Sequence, residues 1–362
     1  MKKAKYIALS SVALLLAGCA ADDVLSSQQE TEKAVVFNAS ADATRGTLVD
    51  ETAFKNEGFY IYANTVKDGI VTQFMDNVKV GFSFADGSWK YAPVVYWPND
   101  GSTVDFYPVY KDDNATCLYR YDKRPHITYI VPDNVADQTD FLWAAPVLSS
   151  AYSSGNVTFS FKHALAGINV EVTNVSPSVV LISALKNSTA FAENPNGTIF
   201  DDYFKYDSSS SNPDEASDYS TSDILNFTLE SVDIIGKFPR KAEIDPNATS
   251  LDKAWLFSYD SNPLPDVTYS LTSEMLETDT DVSFKYKNKS DSEIFVLPCG
   301  VTNVTIRMTF SFTLKRGTLS ANKFRFTLSN SLPIVETFIP EKKVTLKITP
   351  DFTKAPATIK KI

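Results

Sequence analysis

Histidine is nearly missing from this chain: His126 and His163 are the only two in 362 residues. Any Ser-His-Asp or Cys-His arrangement would have to use one of them. His163 lies between two alternating apolar runs, a setting in which an imidazole ordinarily serves structure. There is no G-x-S-x-G, H-E-x-x-H, Walker loop or C-x-x-C pair. Among 44 acidic residues, none is marked out as a glycosidase pair. These absences predict a protein that is not an enzyme, with no catalytic residue, no cofactor and no bound metal.

Three other shortages narrow the class. Only Cys19, Cys117 and Cys299 are present, and the last two lie roughly half the chain apart, so no disulfide framework is expected. Basic residues number 34 against 44 acidic, with no basic patch to neutralise phosphates, which argues against nucleic acid as a partner. Sustained helical periodicity is scarce. The one long apolar run, Ile7 to Leu16, is ten residues, too short to remain as a membrane-spanning helix.

That run belongs to the most specific local signal in the sequence. Lys2, Lys3 and Lys5 give a positive start, the apolar run follows, and Leu16-Ala17-Gly18-Cys19 closes it. This matches a bacterial lipoprotein signal: small residues let the signal peptidase approach, and the Cys19 thiol takes the diacylglycerol. Cleavage before Cys19 would leave the protein anchored to a membrane without spanning it. Losing the three leader lysines leaves 31 basic residues against 44 acidic, a net charge of −13.

Residues 20–33 are acidic and polar, a composition that cannot bury a core and reads as a flexible tether. Ala34-Val35-Val36-Phe37-Asn38-Ala39 is a short strand candidate, and Ser40 to Thr44 is polar and exposed. Arg45 and Gly46 therefore occupy an accessible position ahead of the first folded domain.

From Phe54 onward, aromatic and β-branched runs alternate with turn signals. Gly58 to Ala63 is apolar on both faces, as a central strand would be. Phe82-Ser83-Phe84, the Asp86-Gly87 turn and Trp89 read as a hairpin. Tyr96-Trp97-Pro98, Val104 to Tyr110, Ile127 to Val131 and Phe141 to Ala144 complete the strands of one sandwich. Ser149 to Asn156 is Ser- and Gly-rich and marks a domain boundary. Beyond it, Val157 to Val172 alternates. Val179 to Leu185 and Ile199 to Tyr206 are weaker strand candidates, and Asp207 to Asp223 is a polar loop without the spaced acids of an EF-hand.

Ile224–Ile235, Ala254–Tyr259, Val267–Leu271, Val282–Tyr286 and Ile294–Leu297 are further strands. The clearest strand runs from Val304 to Lys315, with apolar residues at the even positions and polar ones at the odd. Phe324–Leu328 and Val344–Ile348 repeat its pattern, giving a second sandwich. The expected fold is all-β, two tandem β-sandwich domains. Trp89, Trp97, Trp143 and Trp255 each lie in or beside an apolar strand and read as core; exposed, they would suit stacking on sugar rings.

An ordered set of motifs adds to this. Trp89-Lys90-Tyr91, Tyr96-Trp97-Pro98, Phe106-Tyr107-Pro108, Asp140 to Ala144, and Phe159 to Leu165 followed by Ile168, Val170 and Val172 together resemble the fimbrillin family. These are subunits of type V pili on Bacteroidales-type anaerobes. The resemblance implies transthyretin-like sandwiches and a precursor in the cell outer membrane, tethered by lipid on Cys19, that later joins the cell-surface fimbrium. It also implies that an arginine-specific protease removes the first strand and that a neighbouring pilus subunit supplies its replacement.

Carried onto this chain, the leaving strand contains Val35, Val36 and Phe37, and the cut falls between Arg45 and Gly46. The implied division is 1–18 signal peptide, 19–45 lipidated tether and removable strand, 46–150 N-terminal sandwich and 151–362 C-terminal sandwich. The partners are other pilus subunits, the protease, the membrane, and a host or bacterial surface ligand. The tail from Thr349 contains Pro350 and Pro356, which cannot donate to a ladder, leaving Ala355, Ala357 and Ile359 for a short insert. The alternative is a surface lipoprotein whose β-sandwich binds glycan.

Overall fold

The computed structural model describes residues 32–42, 49–151, 154–186, 211, 220–257, 264–278, 285–289, 292–301, 303–315, 321–332, 336–353 and 358–361. They are mostly β-structure in several sheets. In the first part of the chain the strands are β1 (Phe37–Ala41), β2 (Phe59–Lys67), β3 (Ile70–Ser83), β4 (Ser88–Lys90), β5 (Thr103–Val109), β6 (Ala115–Tyr119), β7 (Pro125–Ile130), β8 (Leu142–Trp143), β9 (Val147–Ser150), β10 (Val157–His163) and β11 (Ala166–Val172). One sheet has the order β4-β3-β2-β5-β9 and a second the order β1-β10-β8. Aromatic rings join them: Phe59 on β2 meets Phe159 and Phe161 on β10 with centroids 5.8 and 5.3 Å apart.

Of the stretch Gly58 to Ala63, Phe59 to Ala63 lie on β2, the central strand of its sheet, while Gly58 precedes the strand; the Asp86-Gly87 turn joins β3 to β4. A second hairpin turn, Asp68-Gly69, joins β2 to β3 with φ of 51° and 78°, the paired positive values a two-residue connection requires. Tyr96-Trp97-Pro98 forms no strand and makes only a bridge from Tyr96 to Ala34. Ser149 and Ser150 fall inside β9, so the Ser-rich stretch begins in a strand.

Later strands are β12 (Ile224–Gly236), β13 (Lys241–Ile244), β14 (Trp255–Leu256), β15 (Val267–Thr272), β16 (Leu276–Thr278), β17 (Tyr286–Asn288), β18 (Ile294–Val296), β19 (Cys299–Val301), β20 (Val304–Leu314), β21 (Asn322–Leu332), β22 (Glu336–Phe338), β23 (Lys343–Ile348) and β24 (Thr358–Lys361). One sheet runs β15-β12-β20-β21-β24. Another runs β16-β17-β11-β18, with β23 also on β11. Every even residue of β20 is buried, as its alternation predicts. The halves of the chain are not separate in pairing. β13 lies antiparallel to β7, with Lys241 opposite Ile130, so residues from both halves share the sheet β14-β13-β7-β6.

Two short helices depart from the all-strand expectation. Helix α1 (Glu51–Glu57) starts at Asp50, whose Oδ1 accepts from the Ala53 amide at 2.7 Å, and buries Phe54. It stops at Gly58, where φ is +74° and a Cβ would collide with the Val80 carbonyl oxygen. Helix α2 (Val179–Lys186) occupies the stretch read as a strand. There the Ser178 hydroxyl accepts from the Leu181 amide at 3.1 Å, and adjacent Leu181 and Ile182 are both buried, which a half-exposed strand with side chains on opposite faces would not do. The candidates at 199–206 and 282–284 lie outside the described residues.

Candidate functional site

The strand that precedes the first domain is β1, and its surroundings set it apart. It runs parallel to β10, with Phe37 opposite Val157 and Ala41 opposite Phe161. The bonds continue past its ends: the Val157 amide donates to the Val36 carbonyl at 2.8 Å and the Asp42 amide to the Phe161 carbonyl at 2.9 Å. Even positions thus point their backbone groups at β10, while odd positions turn theirs to the other side.

On that other side no named strand pairs with β1 among the described residues. The Val35 amide donates to the Val95 carbonyl at 2.9 Å. Side chains meet three more backbone groups on this flank. Tyr91 Oη donates to the Val35 carbonyl at 2.8 Å, and Trp89 Nε1 to the Ala39 carbonyl at 2.9 Å. The Ala41 amide donates to Glu51 Oε2 on α1, also at 2.8 Å. Burial raises the Tyr91 phenol above its ordinary pKa, with the Val95 contact opposing, so it remains a neutral donor across physiological pH. The Trp97 indole N–H beside this groove is buried with no hydrogen-bond partner among the described residues.

His163, at the end of β10, closes the arrangement. Its Nε2 lies 3.0 Å from the Asp42 carbonyl, an acceptor only, so Nε2 carries the proton and donates. Nδ1 lies 2.6 Å from Asp140 Oδ2, and both side chains are almost fully buried. The Asp140–His163 contact has the separation of an ion pair without hydrogen-bond angles. No sequence signal marks this pairing; Asp140 belongs only to one of the motifs above. His163 is thus buried and tied to the main chain beside β1.

Side chains alternate from Val35, ahead of β1, through the strand to Ala41. Val35, Phe37 and Ala41 are buried and Ala39 packs against the core, whereas Val36 is 42% exposed. The Phe37 ring sits among Tyr91, Phe106 and Phe159, with centroids 5.2, 5.7 and 6.1 Å away. Burying it contributes roughly 1.5–3 kcal/mol. Of the predicted site residues, Val35, Val36 and Phe37 come together here; Cys19, Arg45 and Gly46 lie outside the described residues.

The remaining candidates resolve as follows. Trp89, Trp97, Trp143 and Trp255 are 4–8% exposed, so all four are core and none is a stacking platform. A cleft of about 860 Å³ has Trp143, Trp255 and Phe338 in its walls, with the Lys162–Glu341 ion pair, at 3.3 Å, among its lining residues. Cys117 and Cys299 are unpaired, and burial pushes the Cys299 thiol up to about 12. The C-terminal β24 pairs with β21 of its own chain, Ile359 opposite Phe326. Among the described residues no His, Cys, Asp or Glu cluster suits a metal, and no helix is long and apolar enough to cross a membrane.

The sequence profile of the Fimbrillin-like family matches residues 44–361. The chain belongs to that family. Membership makes it a fimbrillin-type surface protein, a structural rather than a catalytic one. This fimbrillin-like chain is also similar to a fimbrial protein from Bacteroides vulgatus ATCC 8482, at 15% identity over 91% of this chain and 98% of the other, with a TM-score of 0.55. At that identity the likeness establishes a shared fold. Weaker likenesses are to a candidate cell adhesion protein from Bacteroides uniformis ATCC 8492 (14% identity, 92% and 97% covered, TM-score 0.38) and another from Bacteroides ovatus ATCC 8483 (11%, 91% and 96%, TM-score 0.41). No curated protein matches the chain.

Proposed function

We propose that this protein is a fimbrial subunit or tip adhesin that is exported as a lipoprotein and assembles by strand replacement. In this reading Cys19 carries the lipid that holds the precursor in the outer membrane. An arginine-specific protease cuts between Arg45 and Gly46, and β1 leaves with Val35, Val36 and Phe37. A strand from a neighbouring subunit then fills the groove, and the subunit passes from the membrane to the fimbrium. Transthyretin-like topology of the sandwiches, divided near residue 150, is part of the same proposal, as is a host or bacterial surface ligand.

What supports the reading is the way β1 is held. It is the first strand, it ends its sheet, and one flank is a ladder while the other is met largely by side chains. Its loss would leave the β10 edge unpaired and an apolar slot open, which another strand satisfies well. Buried tryptophans remove the main support for the glycan-binding alternative.

The test is to treat lipid-free full-length protein with an arginine-specific protease, sequence the new N-terminus and measure particle mass. A fragment beginning at Gly46 that forms high-mass assemblies is expected. Resistance at Arg45, or a lasting monomer after the cut, would contradict the reading.

A further inference from the structure

The side-chain contacts along the outer flank of β1 and at its end are made to the main chain. Tyr91 and Trp89 donate to the carbonyls of Val35 and Ala39, Glu51 accepts from the Ala41 amide, and His163 donates to the Asp42 carbonyl. Every residue carries those groups, so these four side chains fix where a strand lies without asking what sequence it has. The demand on sequence comes from the inward positions. Phe37 fills a pocket of three aromatic rings. Two and four residues later come Ala39 and Ala41, facing the same interior, with their backbone drawn against the Trp89 indole and the Glu51 carboxylate. The outward positions Val36, Asn38 and Ser40 are exposed.

We propose that the β1 groove selects its occupant by size and spacing. It takes an extended polypeptide segment with one large aromatic residue followed, at the second and fourth positions after it, by residues no larger than alanine. The alternating outward positions are unconstrained. The inference rests on the reading of β1 as a replaceable strand and specifies the chemistry of the segment from a neighbouring subunit that replaces it. Sliding such a segment by two residues would bring the aromatic ring to the place of half-buried Ala39, where it would have to displace the core residues that Ala39 packs against. One pattern therefore sets both identity and register.

The test uses the full lipid-free chain with a recognition site for an unrelated protease inserted between residues 42 and 49, so that cutting does not depend on Arg45. Fluorescent peptides of the sequence 33–42 are then added to the cut protein and their binding measured. The parent peptide and its S40T variant should bind within about threefold of one another, since exposed positions contribute little. The F37A peptide should bind at least ~100-fold more weakly, the scale of a lost core aromatic. The A39L peptide should bind at least ~10-fold more weakly, through overpacking. An A39L peptide that binds as well as the parent overturns the proposal. If no parent peptide enters, the replaceable-strand reading fails instead, and the size rule is decided in the uncut chain. There Ala39→Leu must lower the Tm more than Ser40→Leu, and equal effects overturn the rule.

Discussion

β1 and β20 follow the same rule of alternation but are held in different ways. β20 is eleven residues long and paired along its length, to β12 on one side and β21 on the other. β1 is five residues long, has a ladder only to β10, and relies on Tyr91, Trp89 and Glu51 for much of its other flank. Removing β20 would expose two ladders and the middle of a sheet. Removing β1 exposes one ladder and a row of side chains that stay in place. Apolar alternation alone says a strand is buried; the partners of its backbone set how firmly it is held.

Deleting one ring from each strand separates the two most strongly. Phe310 stacks on Phe326 at 5.1 Å inside the β20 sheet, and Phe310→Ala should cost about 3–5 kcal/mol of global stability by urea unfolding. Phe37→Ala should lower global stability by less, because β1 is held by one ladder where β20 has two; amide exchange should rise at 35–42 and stay slow at 304–314. Equal losses would erase the distinction between the two strands.

Asp140→Ala removes the buried carboxylate 2.6 Å from His163 Nδ1, a change worth about 3 kcal/mol. The loss should appear in β1 and β10 amide exchange before it appears in β20. Trp89→Phe keeps the ring and deletes the donor to the Ala39 carbonyl, so a smaller loss of about 0.5–1.5 kcal/mol is expected, again read as faster exchange in β1.

The smallest effect concerns a thiol away from both strands. Burial raises the Cys299 thiol from 9.0 to about 12, so between those values the unfolded chain has lost a proton that the folded chain keeps. Its contribution to stability is therefore full below pH 9 and falls as pH rises through that window. Alkylation at pH 8 should be slow in the native protein and fast in urea; fast native alkylation would contradict the assignment.

Much of this was legible in the sequence, and the limits have physical causes. β20 is announced by strict alternation from Val304, and β1 by Val35 and Phe37, because one-sided burial writes itself into every second residue. Helix α1 carried one readable signal, Asp50 three residues before Ala53, but it is too short to show a helical period. Helix α2 looked like a strand because short apolar runs lack a period to tell the two apart. The pairing of β13 with β7 and of Asp140 with His163 joins residues distant in sequence, and neither partner names the other. The cradle around β1 escaped notice for a related reason: it is made of side chains touching backbone, which carries no sequence mark.

The claim that β1 is held as a separable element is tested most directly by amide exchange, followed by mass spectrometry, on the lipid-free chain before and after cutting between residues 42 and 49. The cut is expected to strip protection from residues 35–42 and to leave 304–314 unchanged. Protection retained at 35–42, or lost together at both strands, would contradict that claim.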